Sequence, residues 1–183
     1  MRILQLLAEK ESSILNSWVD FVFSDFKAEA VRFLKGKDRF ANPLGQGYSE
    51  GLREIYLALR NEELDEVGAV VEHLMKLRAV QVELAPSRAL AFLFELKKII
   101  RHECRKEWSA DLEQEWPELT ARIDRVALQG FDYYMASRER LYQVRIRELK
   151  SGRHILTDNV KCPSAMVRDD LNSQQQAEND GQP

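Results

Sequence analysis

The chain has 183 residues, 44% of them hydrophobic and 31% charged, with a formal net charge of -3. That length allows one domain with a proper core and is too short for two ordinary ones. The near-neutral charge offers no basic field for nucleic acid, no apolar run approaches the ~20 residues of a membrane span, and scarce Gly and Pro (8 and 5) favour helices.

The first expected element is a short helix from Arg2 to about Glu9. Glu9, Lys10 and Glu11 interrupt its apolar patch before any small-residue cleavage site, so it reads as a helix and not as a signal peptide. A longer helix is expected from about Ser12 to Leu34, with Ile14, Leu15, Trp18, Phe21, Val22, Phe26 and Phe33 mostly three or four residues apart. Gly36 lies in its C-terminal cap region. Asn42-Pro43 then starts a turn, and Pro43 can open a helix that runs to about Arg60. Gly47 and Gly51 fall four apart on that helix, where they are expected to let another backbone approach.

Further helices are expected from about Leu64 to Val82 and, after the break at "ELAPS", from Pro86 to about Glu107. Pro86 is tolerated there because first-turn N–H groups have no intrahelical partner. A short piece over Ala110 to Glu115 leads to Pro117, from which a long helix is expected to about Lys150. After Ser151 the composition turns to amides, acids and Gly, and residues 151–183 are expected to form a mobile polar tail. No strand-like alternation occurs. The expected fold is therefore all-α, a single domain of about six helices over residues 1–150, with a long C-terminal helix.

Polar residues recur inside the apolar stripes. Arg78 and Gln81 project among Val67, Val70, Val71, Leu74 and Leu77, while Lys97 and Arg101 project among Leu90, Leu93, Phe94, Ile100 and Cys104. Asp124, Arg138 and Arg145 fall within the apolar face of the last helix. Unpaired burial of such groups is prohibitive, so they must pair, keep their heads in water or line a site. Two readings follow: a fold-specifying ion-pair network, or a pocket or subunit seam biased toward an anion. The network is preferred, with Asp124 as the partner of Arg78, because Asp124 alone is acidic within the last helix's apolar face. That face is wider than one core contact needs, and Tyr134, Leu141 and Val144 along it point to self-association as a dimer.

Catalytic chemistry is not suggested by any motif. His73, His102 and His154 form no HxxxH or HExxH pair, and "VVEHLM" and "IIRHEC" lack the Glu-x-x-His spacing of di-iron bundles. Neither a metal nor a haem is expected. Cys104 and Cys162 are far apart, with no CxxC spacing, and read as reduced cytoplasmic thiols.

Three stretches nevertheless carry a resemblance. "DRFANPLGQGYSEGLREIYLAL", "LRAVQVELAPSRALAFLFELKKIIRHE" and "RIDRVALQGFDYYMASRERLYQVRIRELK" resemble the RsbRD N-terminal domain family, in its F-x-NP-x-G turn, R-A-V-Q segment, P-S-x-A-L helix opening and L-K-x-I-I-R end. The likeness spans about Leu4 to Lys150. It implies an input or interaction domain connected with RsbT, a switch-protein kinase of bacterial stress signalling, and by analogy a globin-like arrangement that dimerises through helices. Arg78, Gln81, Lys97 and Arg101 occupy the family's recurrent polar positions. The co-antagonists themselves carry a C-terminal STAS domain, and the 33 residues after Lys150 are too few for one, so a stand-alone form is expected. That form is associated with anaerobic sulfate reducers, near genes for a membrane-bound redox complex.

The expectation from sequence is thus a cytoplasmic, dimeric, non-enzymatic sensory or regulatory adaptor without a cofactor. The alternative is a small-molecule protein that binds an anion between helices through Arg78, Gln81, Lys97 and Arg101.

Overall fold

A computed structural model describes residues 2–36, 42–81 and 83–151. Most of the expected tail, from residue 152 onward, lies outside the described residues, as does Val82. Among the described residues the fold is all-α, with six α-helices and no strand: α1 (Arg2–Phe23), α2 (Ala28–Leu34), α3 (Pro43–Asn61), α4 (Gly68–Ala79), α5 (Pro86–Glu103) and α6 (Ala110–Ser151). A single 3-10 turn, Leu64–Glu66, precedes α4. Two compact units divide after Arg140; the first holds α1 to α5 and most of α6, and the second begins at Leu141.

The helix expected from about Leu64 begins at Gly68, after the 3-10 turn, and the one expected to about Glu107 ends at Glu103; the larger differences, in α1 and α6, each have a physical reason. α1 runs without a break through Lys10 to Ser13, although that stretch is polar. Its polar side chains are engaged from outside the helix: Lys10 with Glu107 at 2.6 Å, and Glu11 with Arg60 at 2.6 Å. The break comes instead at Ser24–Lys27, separating α1 from α2. α6 likewise begins at Ala110 and continues through Pro117. Pro117 forfeits one backbone hydrogen bond, but the turns before it are anchored. Glu115 accepts the backbone N–H groups of Arg2 and Ile3 (3.2 and 2.9 Å), and Arg2 also pairs with Asp111. A carboxylate at the α1 N-terminus satisfies donors that no intrahelical carbonyl reaches and faces the positive end of the helix dipole.

The core of the first unit is built on one face of α1 (Ile3, Leu7, Ile14, Trp18, Val22) packed against α3 and α5. Two buried donors tie the helices through main-chain carbonyls: Trp18 Nε1 donates to Phe92 O at 2.7 Å, and Tyr56 Oη donates to Leu7 O at 2.7 Å. Burial raises the pKa of the Tyr56 hydroxyl above its ordinary value, so it stays a donor. Asn42 closes the α2–α3 connection, donating to Leu34 O and Gly36 O while its Oδ1 caps the N–H of Gly45.

The close approach expected at Gly47 and Gly51 falls elsewhere. A Cβ at Gly45 would sit 2.2 Å from Leu34 O, whereas Gly51 packs on the Leu74 side chain and Gly47 has only His73 Nε2 at 3.7 Å. At the end of α3, Glu62 adopts a left-handed conformation (φ 67°). Arg122 holds that end in place, donating to Leu59 O at 3.3 Å and pairing with Glu62 at 2.9 Å and Glu118 at 2.8 Å.

Candidate functional site

The polar residues singled out in the sequence sit at three separate places. Arg78, in the last turn of α4, is 0% exposed. Its Nη2 donates to Asp25 Oδ2 at 2.6 Å and to Arg88 O at 3.1 Å; its Nε donates to Ala89 O at 3.2 Å, and its guanidinium lies 5.4 Å from the Phe92 ring centroid. Nη1 has no hydrogen-bond partner among the described residues. Asp25, in the turn between α1 and α2, has a buried side chain, and its other oxygen accepts from Arg88 Nε at 2.7 Å. The carboxylate is therefore gripped by one buried and one exposed arginine. This corrects the pairing expected from sequence: Asp25, not Asp124, is the partner of Arg78.

Gln81 lies beside this network, with Nε2 donating to Tyr48 Oη at 3.2 Å and to Leu77 O at 3.4 Å. Burial raises the Tyr48 hydroxyl above its ordinary pKa, against the opposing pull of the Arg78 cation and the Gln81 amide. A cavity of about 510 Å³ opens next to the network, lined by Asp25, Phe26, Lys27, Ala30, Gln81, Glu83 and Leu84. Arg78 is not among its lining residues.

Lys97 pairs with Asp124 at 2.5 Å and lies 5.8 Å from the Phe94 ring centroid, joining α5 to α6. Arg101 forms a two-pronged ion pair with Glu113 (2.6 and 3.0 Å) and lies against both rings of an edge-to-face indole pair, 4.4 Å from Trp108 and 5.2 Å from Trp116. Trp108 Nε1 donates to the same Glu113 at 2.7 Å, and hydrogen bonds from Arg101 and then Trp108 hold that carboxyl below its usual range. An anion pocket requires cations with charge to spare, converging on one space. Here Arg78, Lys97 and Arg101 each hold a carboxylate of their own, and they tie three different parts of the fold together.

His73 and His102 are exposed. The Cys104 thiol is buried, and burial pushes its pKa up to about 11, the opposite of an activated nucleophile. Among the described residues no group of three or more His, Cys, Asp or Glu is placed to hold a metal ion, and no helix is long and apolar enough to cross a membrane.

The largest unexplained feature is apolar. In the first unit Phe94 on α5 and Leu128, Phe131 and Met135 on α6 are exposed, Leu128 by 66%. Leu93, next to Phe94, packs where Gly130 leaves room: a Cβ there would be 2.9 Å from Leu93 Cδ1. In the second unit Leu141, Tyr142, Val144, Ile146 and Leu149 are all exposed. Of the three residues expected at a dimer face, Leu141 and Val144 are exposed, but Tyr134 is 0% exposed within the protomer core. Tyr134 is thereby removed from that set. Phe131 belongs to the wide apolar face expected for the last helix, whereas Leu128 and Met135 were overlooked, because two faces of α6 were merged into one stripe. Their three- and four-residue steps to Phe131 were the available signal.

A family model described as "RsbT co-antagonist protein rsbRD N-terminal domain" matches residues 12–149. No curated protein and no solved structure matches the chain.

Proposed function

The chain belongs to the RsbT co-antagonist protein rsbRD N-terminal domain family, and from that membership we propose that it is a non-enzymatic regulatory adaptor of bacterial signalling, acting in the cytoplasm through protein–protein contacts. The observation that carries this reading is the set of large apolar side chains left exposed in the first unit, Phe94 on α5 and Leu128, Phe131 and Met135 on α6. Soluble proteins rarely expose a contiguous apolar patch without using it to bind. The ion pairs of Arg78, Lys97 and Arg101 act as fixings of the scaffold: Arg78 ties α4 to α5 and to the α1–α2 turn, and Lys97 and Arg101 tie α5 to α6. Self-association as a homodimer is one use of the face. The family name supplies the class of regulated partner, a kinase of the RsbT type.

Titration of the purified protein into an RsbT-type kinase from the same organism tests the reading. Phosphate transfer by the kinase is expected to change, and Phe131→Asp is expected to abolish the change without lowering the thermal midpoint, since Phe131 is 47% exposed in the protomer. No binding and no change in phosphate transfer refutes the regulatory role.

A further inference from the structure

The cavity of about 510 Å³ beside the Arg78–Asp25 network carries opposite charges on its two walls. One wall is the start of α2 and the turn before it, with Phe26, Lys27 and Ala30; the other is the connection from α4 to α5, with Gln81, Glu83 and Leu84. Lys27 and Glu83 are both exposed, and neither side chain forms an ion pair with a described residue. No salt bridge therefore closes one wall on the other. The inner end is fixed in place. Gln81 Nε2 donates to Tyr48 Oη and Leu77 O, and the Phe26 ring meets Phe23 and Tyr48 edge to face, at 6.3 and 6.0 Å between centroids.

Asp25 also lines the cavity, but Arg78 and Arg88 grip its two oxygens, so it offers no free charge. What remains is one ammonium, one carboxylate, the apolar surface of Phe26, Ala30 and Leu84, and Gln81 Oε1, which accepts no hydrogen bond from a described residue. A lone anion would find Lys27 but also Glu83, and a lone cation would find the reverse, so each meets a like charge. A zwitterion meets both with the opposite charge. The volume lies within the ~300–1,000 Å³ of small-molecule sites, which combine apolar walls with a few placed polar groups.

We propose that this cavity binds a free α-amino acid with an apolar side chain. Its carboxylate lies at Lys27 Nζ, its ammonium donates to Glu83 and to Gln81 Oε1, and its side chain packs on Phe26 and Leu84. Gln81 and Phe26 are held before the ligand arrives, which lowers the ordering cost of binding. None of these residues belongs to the exposed face of α5 and α6, so the site goes beyond the adaptor reading and stands apart from it.

Thermal melts of the full-length protein with L-leucine, L-methionine and L-phenylalanine test the site. A ligand at about ten times its Kd raises the midpoint by roughly 3–6 °C for a chain of this size. At least one of the three is expected to do so at millimolar concentration. N-acetyl-leucine and leucinamide keep the side chain but carry only one charge, and they are expected to give no rise. Lys27→Gln and Glu83→Gln replace exposed residues without a described ion pair, so both variants are expected to fold, to melt with the wild type in the absence of ligand and to lose the rise. Lys98→Gln, an exposed change elsewhere on α5, is expected to retain it. No rise with any of the three amino acids overturns the proposal. An equal rise with either singly charged analogue also overturns it, because the ligand is then not read as a zwitterion. A rise retained by both Lys27→Gln and Glu83→Gln places the binding elsewhere and overturns it as well. The kinase titration above succeeds or fails independently, since Phe131→Asp reports on the face of α5 and α6 and not on this cavity.

Discussion

Arg78→Met tests the buried network most directly. The wild-type ion pair joins a guanidinium with 0% side-chain exposure to a carboxylate with 4%. Removing one member of such a pair costs about 3–5 kcal/mol, because the other is left buried with its charge uncompensated. Arg88 Nε still reaches Asp25 at 2.7 Å, but from an exposed side chain, which moves the expected loss toward the lower end of that range. The hydrogen bonds to Ala89 O and Arg88 O add about 0.5–1.5 kcal/mol each. Methionine recovers part of this by packing on Phe92. The net expectation is about 3–4 kcal/mol, or a fall in thermal midpoint of roughly 6–15 °C for a chain of this size.

Urea unfolding followed by tryptophan fluorescence measures the loss. Asp25→Leu alone is expected to be comparably damaging, and the double variant Arg78→Met/Asp25→Leu distinctly less damaging than the two losses added, with a coupling of at least about 2 kcal/mol. Asp124→Asn is the control. Its pair with Lys97 is partly exposed on both sides (25% and 45%), so the cost is expected to be at most about 1 kcal/mol. Losses that add without coupling, or an Asp124→Asn loss equal to that of Arg78→Met, would refute the assignment of Asp25 as the partner.

Gly45→Ala is expected to destabilise strongly, since its Cβ would meet the Leu34 carbonyl, which is backbone and cannot swing aside, whereas Gly47→Ala is expected to be neutral or to stabilise by up to ~1 kcal/mol through helix propensity; paired denaturant melts compare them. Native Cys104 is expected to resist iodoacetamide at pH 8 and to react on unfolding, as mass spectrometry of the alkylated protein would reveal. Hydrogen bonds from Lys10, from Arg101 with Trp108, and from the backbone N–H of Ile3 depress the carboxyls of Glu107, Glu113 and Glu115 respectively. Their contribution is complete above the ordinary carboxyl range and lost as pH falls through the depressed values, so the thermal midpoint is expected to be level above about pH 5 and to fall below about pH 4. Glu115→Gln is expected to blunt that fall.

Periodicity was enough to read the helices. The prolines at 43 and 86 and the apolar steps after them place α3 and α5 from local physics alone, because a helix needs only its own backbone and one apolar face; the steps in "SSILNSWVDFVF" mark that stretch as helical but give neither end of α1. The same local rules misjudged Lys10–Ser13 and Pro117, where helix continuity depends on Glu107, Arg60 and Arg2, residues up to about a hundred positions away. The family was legible as well, since ordered short motifs survive without knowledge of contacts.

The partner of Arg78 was not legible. Asp25 sits in a turn, outside any periodic stripe and 53 residues from Arg78, and nothing in a one-dimensional pattern singles it out over Asp124. Nor could the pattern separate the buried Tyr134 from the exposed Phe131, although both are large aromatics within one turn of α6. The period of a helix fixes the angle at which each side chain leaves its axis. Which of those angles meets another helix and which meets water is set by the packing of α6 against α3, α4 and α5, and only the tertiary structure decides that.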